Sequence, residues 1–292
     1  MKTATIKIII TMVLFGTIGL FVRYIDFGSG FISSFRGYTG AIFLLVVKLF
    51  KKSPKKEKSR PKDIILLILS GVFIGFNWIF LFEAYNYTTI ATATLCYYMA
   101  PAFVIILAAF VLREKITIKK AACLIISLAG AVLVSGVFDT ADGMNGYKGI
   151  IFGLCAAVLY ASDIICNKKV SSVTPIDRTI IQLLSAAITV TPYTLIQEGI
   201  PDFGAADTRS IICLVTLGIV HTGLAFFLYF GGLEKLPANK VALMSYIDPV
   251  VAILLGTLFL SEPMTLLSGI GAVLIIASAL WSSLEKSQKY RH

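Results

Sequence analysis

Long apolar runs alternate with short polar ones along almost the whole chain. Ten runs approach the 20 or so apolar residues that cross a bilayer as one helix. They are Ile6–Val22, Phe31–Leu49, Ile64–Phe82, Ile90–Leu112, Ala121–Val137, Gly149–Ile165, Thr179–Ile196, Ile211–Phe230, Val241–Leu260 and Leu266–Ser282. The polar connections are short, apart from the basic stretch after the second run and Gln197–Thr208. Short connections set neighbouring helices antiparallel and in contact. The pattern predicts an all-α integral membrane protein of ten transmembrane helices, with almost nothing left over for a soluble domain.

Composition points the same way. Apolar residues make up 57% of the chain and charged ones 14%, against roughly 45–50% and about 25% in soluble domains. The net charge of +10 raises nucleic acid as a partner, and its distribution excludes that reading. With alternate loops assigned to two sides, all but four of the 26 Lys and Arg fall on the side that holds both termini. The exceptions are Arg23, Lys148 and Arg209 on the other side and Arg36 inside a run. This is the positive-inside bias, and it predicts cytoplasmic N- and C-termini in the cell's cytoplasmic (inner) membrane. Lys2 and Lys7 before the first run resemble a signal peptide, but no small-x-small cleavage motif follows, and removing the run would break the span count. The five cysteines lie in or at the ends of runs without a CxxC pair. They predict packing residues, with neither disulfide nor metal.

The second half of the chain matches the first at an offset of 148 residues, without a gap. Gly75 falls on Gly223, Phe82 on Phe230, Leu95 on Leu243, Tyr98 on Tyr246, Pro101 on Pro249, Glu114 on Glu262 and Thr117 on Thr265. The expected domains are two repeats, 1–138 and 146–292, joined by a turn rich in Asp, Asn and Gly. Each holds five runs, an odd number, so the repeats run in opposite directions through the bilayer. Inverted repeats are a common construction of alternating-access transporters.

Several residues carry chemistry in this frame. Pro101 and Pro249 sit near mid-span, where a missing N–H bends a helix, either for packing or to line a pathway. Glu114 and Glu262 end the fourth and ninth runs, as carboxylates facing helix N-termini or as proton sites. Asp248, whose counterpart is Ala100, stands deep in the ninth run. An ionisable group there faces a cavity or a partner, as a proton carrier, a counter-ion for a cationic substrate, or a capped acid with no transport role. Asp163 and His221 are the next proton-coupling positions. Asp163 has Lys168 about one turn on, so a paired acid at the membrane face also fits, and a buried His is also an ordinary core donor. Arg36 and Glu83 belong near the external end, where an ion pair would form a gate. Trp78, Tyr97, Tyr98, Tyr160, Phe226, Tyr229 and Tyr246 fall at one level, and aromatic walls suit small organic ligands, cations included. Asn77, Trp78, Tyr98, Tyr246 and Asp248 are the expected substrate-binding set. Gly71-x-x-x-Gly75 permits close helix approach. Gly269-x-Gly271 belongs to a packed helix and follows no strand, which excludes a nucleotide loop.

These residues carry a resemblance. Asn77-Trp78, Phe82-x-Ala84-x-x-Tyr87-Thr88, Ala91, Leu95, Tyr98, Pro101 and Leu112-Arg113-Glu114-Lys115 in one half meet Phe230, Leu233, Leu236-Pro237-Ala238, Leu243, Tyr246, Pro249, Leu260 and Glu262 in the other. Together they resemble the drug/metabolite transporter superfamily, in its ten-span group with two EamA-type repeats. Arg36 is similar to an Arg often seen in the first repeat. The resemblance implies two inverted four-helix halves around a central cavity, with spans five and ten outside that core. It also implies export of amino acids and other metabolites. Position 248 departs from the usual apolar or small residue, which ties it to this chain's own substrate or coupling.

The combined expectation is a secondary active exporter of small metabolites, such as amino acids or organic cations, coupled to protons. Its partners are the lipid bilayer and a small, cationic or zwitterionic substrate. No cofactor is expected. HExxH, GxSxG and P-loop motifs are absent from the sequence, so energy comes from a gradient. Three alternatives stay open: uptake in place of export, a channel, and an intramembrane enzyme using Asp163 and Asp248.

Overall fold

The computed structural model describes residues 2–50, 59–111, 113, 118–134, 143–204, 206–233, 247–260 and 265–283. Tyr246, Glu114 and Glu262 lie outside the described residues, and Pro101 and Pro249 are described in their backbone alone. Every regular element among the described residues is helical. The helices are α1 (Lys2–Val22), α2 (Ser29–Phe50), α3 (Pro61–Tyr87), α4 (Ile90–Tyr97), α5 (Ala100–Val111) and α6 (Ile118–Val134). They continue with α7 (Gly143–Lys168), α8 (Pro175–Gln197) and α9 (Thr208–Thr216). The last of these runs on as a π-helical segment (Leu217–Leu224) into α10 (Ala225–Leu233), and α11 (Ile247–Leu260) and α12 (Leu266–Ser283) complete the set.

Seven of these helical stretches are long and apolar enough to cross a membrane. They begin at Thr3, Ser29, Pro61, Thr92, Gly146, Ile176 and Thr208. Helices α6 and α12 contribute shorter apolar stretches, Ala121–Gly130 and Gly269–Ser278. Helix starts follow from local chemistry. The side chains of Thr89, Thr174 and Asp207 accept from the backbone N–H groups of Thr92, Asp177 and Ser210. Each satisfies one of the amides that a helix start leaves without a partner. Pro61 and Pro175 occupy first-turn positions, where the absent N–H costs nothing.

The fourth apolar run is broken. Helix α4 ends at Tyr97 and α5 starts at Ala100, with Tyr98 and Met99 in a turn between them. A proline at position 101 lacks an N–H, so it cannot donate to the carbonyl four residues back, at Tyr97. The discontinuity therefore lies just before Pro101, where a kink was expected. Helix α8 contains a second internal proline, Pro192.

The halves interlock. Helix α3 packs on α7 and α8, α2 on α8 and the π segment, α1 on α10 and α11, and α4 and α5 on α7. Small residues permit the close approaches. A Cβ on Gly71 would stand 2.5 Å from the Gln182 carbonyl, and one on Gly16 2.6 Å from the Asp248 carbonyl. Helices α6 and α12 pack mainly on each other, to the side of this core. Gly271 is buried. Gly269, expected in a packed face, opens instead on an apolar groove lined by Leu266, Ile270 and Val273. The reason is geometric: α12 has one main partner, so its remaining surface stays uncovered. Large apolar side chains such as Leu49, Phe50, Phe110 and Ile118 are exposed on the outside, whereas Arg36, Asn77, Asp163, Gln182, His221 and Thr222 are buried. An apolar exterior around a polar interior is the arrangement a bilayer demands.

Candidate functional site

The polar interior divides into three linked groups. The first is built on α2. Arg36 is 3% exposed. Its Nε donates to Thr222 Oγ1 at 3.0 Å, and its guanidinium lies over Trp78 at 4.2 Å and Phe82 at 5.4 Å from the ring centroids. The π turn explains Thr222. Its hydroxyl donates to the carbonyl five residues back, Leu217 O, at 3.0 Å, and Gly40 of α2 lies against its methyl group. Widened turns of this kind recur at functional sites.

The second group surrounds Asp248 on α11. The Tyr98 hydroxyl is hydrogen-bonded to the Asp248 carboxylate. Tyr85, Tyr97 and Tyr160 feel its charge. The rings of Tyr97 and Tyr98 stand 6.0 Å apart and those of Tyr97 and Tyr160 5.5 Å. Asn77 donates to the Ala156 carbonyl at 2.6 Å and lies beside the Tyr97 hydroxyl. Tyr97, Tyr98 and Asp248 are half-buried, and Tyr160 is exposed. The break at Tyr98 falls where α4 packs on α11, the helix that carries Asp248.

The third group is a polar knot on α3, α7 and α8. Asp163 Oδ1 accepts from Ser70 Oγ, from Asn167 Nδ2 at 2.7 Å and from Gln182 Nε2 at 3.1 Å. Gln182 also donates to Ser70 at 2.5 Å. Asp163 Oδ2 has no donor among the described residues and is not sealed from solvent. Tyr160 and Tyr229 both feel the Asp163 charge, and Tyr160 feels Asp248 as well.

Some expected contacts take another form. Glu83 does not pair with Arg36. Its Oε2 accepts from Asn86 at 3.4 Å, and the Arg36 side chain turns inward, to Thr222 and Trp78. His221 faces α1: Nε2 lies 2.7 Å from Thr17 Oγ1, Nδ1 lies 3.3 Å from the Thr216 carbonyl, and its ring is 4.6 Å from Phe21. Thr17 Oγ1 also donates to the Leu14 carbonyl at 2.7 Å, so its single proton cannot serve both Leu14 and Nε2. Asp163 is bound by side-chain amides and a hydroxyl and not by Lys168. Phe226 packs on Phe15, 5.7 Å away. Sequence reasoning missed Ser70, Tyr85, Gln182 and Thr222. Polar residues inside otherwise apolar runs were the available signal for Ser70, Gln182 and Thr222. Tyr85 carried none beyond being aromatic.

A helical bundle with seven stretches able to cross a membrane, an apolar exterior and polar side chains inside belongs to the class of multi-pass membrane proteins. The chain belongs to the EamA-like transporter family, whose model matches residues 2–136 and 147–284. It is 31% identical to the uncharacterized transporter YxxF of Bacillus subtilis (strain 168), over 99% of this chain and 92% of that protein. It is 24% identical to the protein PecM of Dickeya dadantii (strain 3937), over 74% and 72%. A crystal structure that is 18% identical shares the fold, with a TM-score of 0.67 over 97% of this chain and 98% of that one. The family and the relative YxxF are named as transporters, not as enzymes. The chain's surroundings are the lipid bilayer, and its substrate is a small molecule.

Proposed function

We propose that this transporter exports small metabolites of the amino-acid or organic-cation class by alternating access, driven by protons. The observation that carries this reading is the Asp248 carboxylate beside a cluster of tyrosines contributed by helices of both halves. Tyr85 and Tyr97 come from α3 and α4, Tyr98 from the turn after α4, Tyr160 from α7 and Asp248 from α11. In this reading the two five-helix repeats, 1–138 and 146–292, are inverted, and they rock around this site. The exchanged packing supports it: α3 against α7 and α5 against α7 correspond, at the 148-residue offset, to α10 against α1 and α11 against α1. Both termini are cytoplasmic, in the inner membrane, as the loop charges require.

Asp248 is the substrate and proton site, with Tyr98, Asn77 and Trp78 as walls and Tyr246 as the repeat partner of Tyr98. Asp163 and His221 are the further proton positions. Pro101 and Pro249 shape the pathway, Glu114 and Glu262 cap neighbouring helices, and Arg36 and Glu83 lie towards the outer end. A proton on Asp248 and a cationic group compete for one carboxylate, which is the simplest way to couple export to proton entry.

The test is proteoliposome flux with labelled amino acids and organic cations, with and without an imposed pH gradient. Saturable counterflow, accelerated by the gradient and lost in Asp248→Asn, is the expected result. Flux that is linear in substrate and shows no counterflow indicates a channel and overturns the carrier mechanism. Counterflow that ignores the gradient removes proton coupling alone.

A further inference from the structure

We infer that α2 and α8 are the fulcrum of this transporter: they stay joined at both membrane faces throughout the cycle, and the site opens by movement of α4 against α11. This rests on the alternating-access reading and adds where the molecule pivots.

The two helices are counterparts in the internal repeat. At the 148-residue offset α2 falls on residues 177–198, the span of α8 within two residues. They pack together so that the start of each meets the finish of the other. Gly37 meets Ala187, whose own counterpart is Thr39, so the close approach falls at nearly equal positions. A Cβ on Gly37 would stand 2.9 Å from the Ala187 Cβ and 3.1 Å from the Leu183 carbonyl. Equivalent segments that meet at equivalent positions lie across a two-fold axis.

Both ends of this pair are clasped. At the end that the loop charges place outside, the Glu198 carboxylate accepts from the Gly30 and Phe31 backbone N–H groups, at 2.8 and 2.9 Å. The start of a helix leaves such amides without partners, and its positive end suits a carboxylate. At the other end Lys48 is paired with Asp177, in the first turn of α8. Between the clasps the Ser34 and Thr194 hydroxyls lie 3.3 Å apart and those of Tyr38 and Thr191 3.1 Å. Parting the helices at either face would break a charged clasp and a seam where glycine lets the backbones approach.

Inverted repeats reach their two access states by exchanging conformations between the halves. For counterpart helices on the axis, that exchange only swaps the two ends of the pair. A pair closed at both ends in one state is therefore closed at both ends in the other. The α4–α11 contact has no such protection, because the counterpart of α11 is α5 and not α4. Helix α4 packs on α11, and among the described residues neither packs on α2 or α8. The Tyr98–Asp248 bond joins them, and loading the proposed site has to remake it. The turn that ends α4 at Tyr98 is also a place where the run can bend.

The experiment uses the full-length protein. Lys48→Cys/Asp177→Cys and Ser34→Cys/Thr194→Cys are each bridged by oxidation in proteoliposomes, with wild type treated alike to control for its five cysteines. Counterflow of labelled amino acids and organic cations is measured before and after reduction with dithiothreitol. Either bridged protein is expected to keep more than about half of its reduced rate, since a disulfide costs nothing across a seam that never parts. A loss of about tenfold or more on bridging, reversed by dithiothreitol, overturns the proposal. Spin labels give a second readout that needs no substrate. Pairs at Phe50 and Ser171, at Asp26 and Ile196, and at Thr92 and Leu258 report the two ends of α2–α8 and the α4–α11 contact. In nanodiscs at acid and neutral pH, the first two distances should hold within about 2 Å while the third shifts or splits. A larger change in either of the first two overturns the proposal, and so does a third distance that stays single and fixed. Should the cysteine variants fail to fold, these distances decide. If wild type exchanges none of the probes, the substrate reading fails, and the fulcrum stands or falls on the labels alone.

Discussion

Asp163 is a buried acid and Asp248 a half-buried one, both in apolar helices, and they are held in different ways. Asp163 has one oxygen enclosed by Ser70, Asn167 and Gln182, three side chains that also bond among themselves or to the α7 backbone. Asp248 has the Tyr98 hydroxyl and otherwise aromatic neighbours. A carboxylate already satisfied by three donors holds helices together. One with a single donor, beside accessible space, is available to a ligand or proton. The offset sharpens the contrast, because the first half has Ala100 where the second has Asp248. This acid belongs to one half only, so the proposed repeats are chemically unequal at the proposed site.

Substitutions can break this comparison. The largest expected effect is on Asp163. Asp163→Leu removes the shared acceptor from three buried donors, a loss of about 3 kcal/mol or more, read as a fall in thermal stability in detergent. Asp163→Asn should recover over half of it. A stable, fully active Asp163→Leu protein would mean that the knot does not hold α3, α7 and α8 together. Next, Asp248→Asn should leave thermal stability nearly unchanged and lower the affinity for an amino-bearing substrate about 10- to 100-fold, or roughly 1.4–2.8 kcal/mol. A stability loss as large as that of Asp163→Leu would make the two acids alike and dissolve the contrast.

Tyr98→Phe deletes the Tyr98 hydroxyl from Asp248, with an expected cost of about 1.5 kcal/mol. The loss should be absent in an Asp248→Ala background, since a double-mutant cycle isolates the pair. Full additivity would mean that the bond contributes nothing. The smallest effect is expected at Glu83. It makes no ion pair with Arg36, so Glu83→Gln should change transport by less than about twofold. A large loss there would restore the outer gate as a working idea.

Much of the fold is legible in the chain because membrane hydropathy is local. Whether Ile64–Phe82 or Thr179–Ile196 crosses a bilayer depends mainly on its own residues, and each coincides with a helix of the structure. The loop charges and the 148-residue offset are equally local to read. The depth of Asp248 and Asp163 followed from their places within apolar runs. The pairing of Arg36 with Glu83 did not follow, because both positions share an end of the bundle without sharing a face.

What the sequence determined on its own was a multi-pass helical membrane protein, its repeat, and the acids and aromatics placed at unusual depth. Each of these is a sum over neighbouring residues or a direct comparison of two segments. Only the tertiary structure decided which groups meet. Arg36 reaches Thr222 across 186 positions, and Ser70 reaches Gln182 across 112. The π turn that presents Thr222 to α2 has no signature in the hydropathy of its residues. It forms where Gly218 and Gly223 press against Thr39 and Phe43 of α2. Such contacts depend on how helices from opposite ends of the chain rotate and seat against one another, and that is set by the packing of the whole bundle.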